Sequence, residues 1–223
     1  QASGVDPNAL PLASEEIDFI KEDVNKILDS MRMGSERIRD IVKSLRNFSR
    51  LDEAQFKVVN LHEGLDNTLM ILRHRWSGKA GQIPTTITKN YGALPEVECC
   101  PGQLNQVFMN LLTNALDAIQ ECEPAETKEM IAPEIAITTT YHSKDEMIQV
   151  AIADNGKGIP LETQNKMFEP FFTTKAVGKG TGLGLAISHE IVTKQHRGTI
   201  EVKSAVGEGT TFTITLPSRT NLT

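Results

Sequence analysis

Two asparagines four residues apart in this sequence could together hold a ligand. Asn110 and Asn114 lie in the otherwise apolar segment 107–119, whose apolar residues recur with helical spacing. Residues at i and i+4 of a helix share one face, so the two amides emerge together. Neutral amide oxygens suit a Mg²⁺ whose charge is balanced by nucleotide phosphates, so the pair indicates such a site. For the segment taken alone, two hydrogen-bonded helix asparagines are the simpler interpretation.

An aspartate at the end of a predicted strand could select the base of a nucleotide. In the segment 152–160, Asp154 is followed closely by Gly156 and Gly158. The glycines let a flat ligand approach the backbone, and the carboxylate accepts a hydrogen bond. The amino group of adenine could donate that bond, whereas guanine presents a carbonyl oxygen, so the turn favours ATP over GTP. An ordinary Asp-Asn-Gly turn is the alternative.

A second glycine-rich segment, residues 178–184, opens directly into a predicted helix. This arrangement points backbone N–H groups and the positive end of a helix at an anion. It matches neither the P-loop pattern nor G-x-G-x-x-G. The preceding run 168–175 contains three of the eight phenylalanines and ends in two threonines and Lys175. We interpret it as a hydrophobic anchor followed by a phosphate-binding cation, with a plain core plug and loop as the alternative.

A long amphipathic helix precedes these motifs. From Ile17 to Phe48 the apolar residues, with Gly34 at one position, alternate in spacings of three and four. This heptad pattern is typical of a helix that packs on partner helices. It predicts one helix over residues 15–52, about 50 Å long and therefore too long to be buried in one small domain. An amphipathic helix folded on its own domain is the alternative, and residues 1–14 are predicted to be a disordered leader.

The remainder of the chain, about residues 57–217, mixes helix and strand patterns. Helices are predicted at about 61–78, 101–119 and 183–194, and strands at 85–90, 134–140, 147–153, 199–203 and 210–216. Strands that meet in hairpins, with helices covering one face, predict an α+β sandwich whose mixed sheet is largely antiparallel. Residues 121–133 are predicted to be a polar loop, and residues 218–223 a tail.

Composition and charge exclude several classes of protein. The 223 residues are 39% hydrophobic and 23% charged, which is typical of a globular chain, and the formal net charge of −6 makes nucleic acid a poor partner. No apolar stretch approaches the roughly 20 residues that cross a bilayer, and the first residues lack the pattern of a signal peptide. The three cysteines form no CxxC pair, so neither a disulfide framework nor a zinc site is indicated. These features predict a cytoplasmic location.

Five segments, taken together and in this order, resemble the N, G1, F, G2 and G3 boxes of sensor histidine kinases. They are Asn110–Ala115, Asp154–Gly158, Phe168–Lys175, Gly180–Gly184 and Gly209–Phe212. Residues 35–50 are similar to the second helix of the dimerisation hairpin in that family. The resemblance implies a Bergerat-type ATP-binding sandwich over residues 57–217, with residues 173–182 as its ATP lid. It also implies a homodimer through the long helix and a response-regulator receiver domain as partner.

The resemblance further implies roles for individual residues. Asn114, together with Asn110, would hold Mg²⁺, and Asp154 would bind the adenine amino group. Further nucleotide contacts are implied for Gly156, Gly158, Lys175, Gly180, Thr181, Gly182, Leu183, Gly184 and Thr210. Lys175 and Gln106 are the candidate catalytic residues, and Gln106 lies where many relatives place a glutamate proposed as general base. Glutamine takes up no proton at neutral pH, so Gln106 could only orient the nucleophile, with an ordinary surface glutamine as the alternative.

One motif of the family is absent from this sequence. Sensor histidine kinases transfer the γ-phosphoryl of ATP to a histidine in a His-Glu-x-x-x-Pro motif, and the dipeptide at His62 has no proline after it. We therefore expect the first hairpin helix and any sensor domain to be missing from this chain. Membrane anchoring of the parent protein is left open. The chain is expected to bind Mg-ATP without forming phosphohistidine. A non-kinase ATPase of the same fold, a serine kinase and a nucleotide-binding dimerisation module are the alternatives.

Overall fold

The computed structural model describes residues 56–77, 83–122, 132–176 and 180–219, and residues 21–35 except 22, 26, 29, 33 and 34. Every described residue between 21 and 35 is helical, as the heptad pattern predicts. Its apolar side chains are largely exposed, with Met31 at 67%. The leader 1–14 and the rest of the predicted helix 15–52 lie outside the described residues. Among the residues described, no helix has the length and apolar character needed to cross a membrane.

The strands of the described residues form two β-sheets. The strands are β1 (Lys57–Val59), β2 (Thr86–Tyr91), β3 (Val97–Cys99), β4 (Glu134–His142), β5 (Met147–Asp154), β6 (Thr199–Ala205) and β7 (Gly209–Pro217). Strands β1 and β3 form an antiparallel pair, and the larger sheet has the order β2-β4-β5-β7-β6. In the larger sheet β2 is parallel to β4 and the other neighbours are antiparallel, so the prediction of a mixed, largely antiparallel sheet is confirmed.

The helices cover one face of this sheet. They are α1 (Leu61–Trp76), α2 (Pro101–Gln120), α3 (Leu161–Gln164) and α4 (Gly184–Glu190), which continues into one π-helical turn (Ile191–Gln195). Helix α2 contacts α1, α4 and β5. Its buried stripe includes Leu104, Phe108, Leu111 and Leu112, at the i, i+3, i+4 spacing of one helix face. The opposite face of α2 therefore carries its polar side chains away from the core.

The turn after β5 is attached to α2, which brings two predicted motifs together. The backbone N–H of Lys157 donates to the carbonyl of Ala118 at 3.2 Å. Strand β5 ends at Asp154, directly opposite Thr210 at the start of β7. The last turns of α2 and the ends of these two strands thus meet at one edge of the domain.

Three parts of the fold differ from the sequence-based expectations. Strands β1 and β3 are three residues each, too short to show alternation, and were not predicted. The first residue of the predicted tail, Ser218, is buried and its carbonyl accepts from the N–H of Glu98 at 3.0 Å. The helix predicted at 183–194 is present as one continuous helical segment, but the hydrogen bonds of its second half follow the π-helical pattern.

Gly158→Ala is expected to destabilise the domain because the turn after β5 passes closely over the end of β6. Gly158 has φ +71°, and a Cβ there would lie 2.0 Å from the carbonyl oxygen of Ala205. We expect a loss of about 3 kcal/mol in the free energy of unfolding, measured with urea. The matched control is Gly207→Ala, because Gly207 has φ +80° and open space around the added Cβ, so it should lose only about 1 kcal/mol. Equal losses of unfolding free energy in the two variants would show that the close approach to Ala205 does not affect stability.

Candidate functional site

A cavity of about 1320 Å³ lies between α2, the turn after β5 and the segment that leads into α4. The residues predicted from the sequence that line it are Gln106, Asn110, Asn114, Asp154, Gly158, Lys175, Gly180, Thr181, Gly182, Gly184 and Thr210. Apart from Gln106, these residues come from five separate motifs, and the fold brings them to one place. The cavity is therefore the candidate site.

Gly156 and Leu183 lie behind the wall of the cavity. A Cβ at Gly156 would lie 2.7 Å from the carbonyl carbon of Ala118, and the Gly156 N–H donates to Asp154 Oδ1 at 2.9 Å. Leu183 is 8% exposed and belongs to the hydrophobic core, at the residue that precedes α4. Neither residue is among those that line the cavity, and both position backbone that does.

A half-buried carboxylate, that of Asp154, lines part of the cavity. Asp154 accepts hydrogen bonds from the backbone N–H groups of Gly156 and Thr210. Burial raises the pKa of Asp154 to about 6, against the opposing effect of these two donors. The Thr210 hydroxyl lies 2.9 Å from the hydroxyl of Ser204, which also accepts from the N–H of Ile159 at 2.8 Å. This network holds an acceptor in a fixed orientation, which suits a donor such as an exocyclic amino group.

The two asparagines of α2 use different atoms. The Asn110 amide nitrogen donates to the carbonyl of Gly184 at 3.1 Å and to the hydroxyl of Ser188 at 3.2 Å. These bonds tie α2 to α4 and make the Asn110 oxygen the atom that a metal would take. The Asn114 amide oxygen accepts from the ammonium of Lys175 at 3.3 Å. Gln106, one turn before Asn110, lines the same cavity.

An aspartate that the sequence analysis did not identify lies beside Asn114. Asp117 forms an ion pair with Lys175 through Oδ2 and accepts from Arg75 Nη2 through Oδ1 at 2.6 Å. Burial raises the pKa of Asp117, but the hydrogen bonds from Lys175 and Arg75 outweigh it and hold the pKa below its usual range. The sequence could have indicated Asp117 as a candidate, because a residue three positions after Asn114 lies on the same helix face.

The oxygens around Lys175 fit a cation. Its ammonium group contacts the Asn114 amide oxygen and the Asp117 carboxylate, and oxygen ligands of these two kinds are those that Mg²⁺ prefers. Among the described residues no group of three His, Cys, Asp or Glu side chains could hold a metal by itself. An ion at Asn114 would take its remaining oxygen ligands from a nucleotide or from water.

The glycine-rich segment crosses the phenylalanine-rich one at close range. A Cβ at Gly182, whose φ is +67°, would lie 2.4 Å from the backbone of Phe171. A Cβ at Gly180 would lie 2.8 Å from the Thr173 hydroxyl and 3.2 Å from Cδ of Lys175. Glycine at these positions lets the chain that leads into α4 lie directly against the segment that carries Lys175.

Comparison with known families agrees with this geometry. Residues 100–220 match the model of the histidine kinase-, DNA gyrase B- and HSP90-like ATPase family. The chain belongs to this ATPase family. The matched range contains α2, the turn after β5 and the glycine-rich segment, so it includes the cavity and its predicted ligand-binding residues.

Relatives of this ATPase are sensor histidine kinases. The sensor histidine kinase ZraS of Escherichia coli K12 is 31% identical over 195 residues, which are 87% of this chain and 38% of ZraS. The chain thus spans less than half of that relative. The catalytic domain of the histidine kinase ThkA is 27% identical with a TM-score of 0.59, over 74% of this chain and 99% of that domain. The resemblance to sensor histidine kinases is confirmed, and the domain is a catalytic ATP-binding domain of their type.

A second ThkA structure shows the same fold. ThkA in complex with the response regulator protein TrrA has a TM-score of 0.63 over 96% of this chain and 53% of that one, at 22% identity.

Proposed function

We propose that this chain is the catalytic core of a sensor histidine kinase. It binds Mg-ATP and transfers the γ-phosphoryl group to a histidine in a motif that this sequence does not contain, for relay to a response regulator. The observation that carries the proposal is the cavity itself, whose lining includes both the fixed carboxylate of Asp154 and Asn114 beside Lys175. A base acceptor and a cation-binding group in one cavity suit a nucleotide with its phosphates.

The residues have separate tasks in this proposal. Asp154, supported by Gly156 and Thr210, accepts from the adenine amino group and thereby selects ATP over GTP. The oxygens of Asn114 and Asn110 hold Mg²⁺, which when bound neutralises charge on the phosphoryl oxygens. Gln106 orients the incoming histidine and does not itself take up a proton.

The phosphates are held by the segment that leads into α4. Lys175 supplies a charge, and the cavity-lining backbone of Gly180, Thr181, Gly182 and Gly184 supplies N–H donors. Leu183, whose N–H donates to the Thr181 hydroxyl at 3.3 Å, is proposed to fix this backbone in place. Gly158 completes the wall beside the base. The domain that carries these groups is proposed to cover residues 57–217, with residues 173–182 as the ATP lid.

The partners follow from the helix before the domain and from the relatives. Val24, Ile27, Leu28 and Met31 give the described part of that helix an exposed apolar face, which supports a homodimer through residues 15–52. ThkA was crystallised with a response regulator, which supports a receiver domain as the partner of this chain as well. The proposed location of the catalytic core is the cytoplasm, and membrane anchoring of the parent protein is left open. A monomer mass in light scattering would contradict the homodimer.

Phosphoryl transfer is tested by supplying the missing acceptor. The chain is incubated with γ-labelled ATP, Mg²⁺ and a dimerisation hairpin from a sensor histidine kinase, and with the same hairpin lacking its histidine. We expect acid-labile, alkali-stable label on the intact hairpin, no label on the variant, and none on the chain itself. Steady ATP hydrolysis without label on the intact hairpin would instead identify a non-kinase ATPase, and acid-stable label would identify a serine kinase.

A further inference from the structure

The cation proposed for phosphate binding already has a partner in the protein. The Lys175 ammonium is held by the Asp117 carboxylate and by the Asn114 amide oxygen. Both side chains of the ion pair are mostly buried, with Asp117 at 23% and Lys175 at 27% exposure. A partly buried pair of this kind is screened less by solvent than a surface pair. Breaking it therefore costs free energy, which a new interaction of Lys175 must offset.

Magnesium and Lys175 would compete for one atom. The Asn114 oxygen that is proposed to hold Mg²⁺ is the oxygen that accepts from Lys175 at 3.3 Å. When an ion takes that oxygen, the like charge of the ammonium must move away from it. The phosphates that accompany the ion offer the ammonium a new anionic partner.

The aspartate left behind would keep a partner of its own. Arg75 Nη2 donates to the other carboxylate oxygen of Asp117 at 2.6 Å, and to Gln120 Oε1 at 3.1 Å. Release of Lys175 therefore leaves the Asp117 charge paired, and the large penalty for an unpaired buried charge does not arise. Arg75 lies on α1, outside the segment that carries Lys175, and its bonds to Asp117 and Gln120 both end on α2.

We propose that Asp117 is a positioning residue that retains Lys175 in the nucleotide-free domain, and that nucleotide binding exchanges the Lys175–Asp117 ion pair for a Lys175–phosphate ion pair. This inference rests on the proposed nucleotide site. Because the exchange breaks an existing ion pair, it weakens the binding of every ligand that recruits Lys175. It has no effect on a ligand without phosphates.

The test is calorimetric titration of Asp117→Asn with Mg-ADP and, separately, with adenosine. We expect ADP to bind about three- to tenfold more tightly than to the wild type, because Lys175 is released, and adenosine to bind equally well. In the background of Lys175→Met, the Asp117→Asn change should give no gain for ADP. Circular dichroism and urea unfolding check the fold, and Asp117→Ser takes the place of Asp117→Asn if the latter does not fold.

A matched control separates this effect from a general change in charge. Glu121 also lines the cavity, but its carboxylate pairs with Lys157 at 2.6 Å. Glu121→Gln removes the same unit charge, and we expect it to change ADP affinity by less than twofold.

Several results would overturn the inference. These are ADP affinity that is unchanged or weaker in Asp117→Asn, a gain that persists with Lys175→Met, a gain of the same size in Glu121→Gln, or an equal gain for adenosine. In each of these cases ADP still binds the wild type and the proposed nucleotide site stands. A wild-type domain that binds neither ADP nor adenosine would overturn the proposed function and this inference together.

Discussion

Asp154→Asn is expected to lower ATP affinity by at least about 100-fold. The carboxylate accepts from two backbone N–H groups and is proposed to accept from the adenine amino group as well. An amide has only one acceptor oxygen. Whichever way it turns, its NH₂ group faces either a backbone donor or the amino group of the base, so one buried donor loses its partner.

The same substitution should change how stability depends on pH. Burial raises the pKa of Asp154 from 3.8 to about 6, so the folded domain binds a proton more tightly than the unfolded chain. The stability that this group contributes is fully present below pH 3.8 and is lost as the pH rises through about 6. Asparagine does not titrate. Relative to the wild type, the variant should therefore gain about 2 kcal/mol between pH 4 and pH 7, a value reduced for the partial exposure of the carboxylate.

Urea unfolding at pH 4, 5, 6 and 7 measures this gain, and calorimetry at pH 7 measures ATP affinity. The control is Asp145→Asn, because Asp145 is exposed in the turn between β4 and β5 and lies outside the cavity. It should alter neither quantity. ATP affinity within threefold of the wild type would argue against the role of Asp154 at the base, and parallel stability curves would argue against its raised pKa.

The parts of the fold that the sequence predicted are those in which one local period controls burial. Strand β5 buries Ile148, Val150 and Ile152 in strict alternation, and α2 buries a stripe at helical spacing. The hydrophobic pattern therefore determines both the element and the face it turns to the core. Strands β1 and β3 bury too few side chains to show a period, and only their pairing with each other defines them.

The site was predictable to the same extent and for a related reason. Each glycine-rich or amide-rich motif carries its chemistry within a few residues of sequence, so Asp154, Asn110 and Asn114 could be selected as candidates once the motifs were considered together. The ion pairs of Asp117 join residues 42 and 58 positions apart, and no sequence spacing encodes such a contact. The distinction between Gly158, on the cavity wall, and Gly156, behind it, likewise depends on how closely the turn approaches α2.

Asn114→Ala is expected to remove most of the magnesium dependence of ATP binding while leaving the domain folded. Asn114 lies on the cavity face of α2, away from the buried stripe, and alanine is the strongest helix former. The substitution deletes the amide oxygen that accepts from Lys175 and is proposed to hold Mg²⁺. The ion pair of Lys175 with Asp117 does not need that oxygen, so the surroundings of the lost ligand keep their arrangement.

The measurement is ATP affinity by calorimetry in excess Mg²⁺ and again in EDTA. With Mg²⁺ the variant should bind at least about tenfold more weakly than the wild type, and in EDTA the two proteins should bind alike. The matched control is Asn105→Ala on the same helix, because Asn105 also lines the cavity but its side chain lies against Gly64 of α1 and has no proposed metal contact. Equal loss in EDTA would mean that Asn114 acts on the nucleotide without the ion. An unchanged affinity in Mg²⁺ would contradict the metal role of Asn114 and leave the Asn110 oxygen as the amide ligand, since only the nitrogen of Asn110 is bonded to α4.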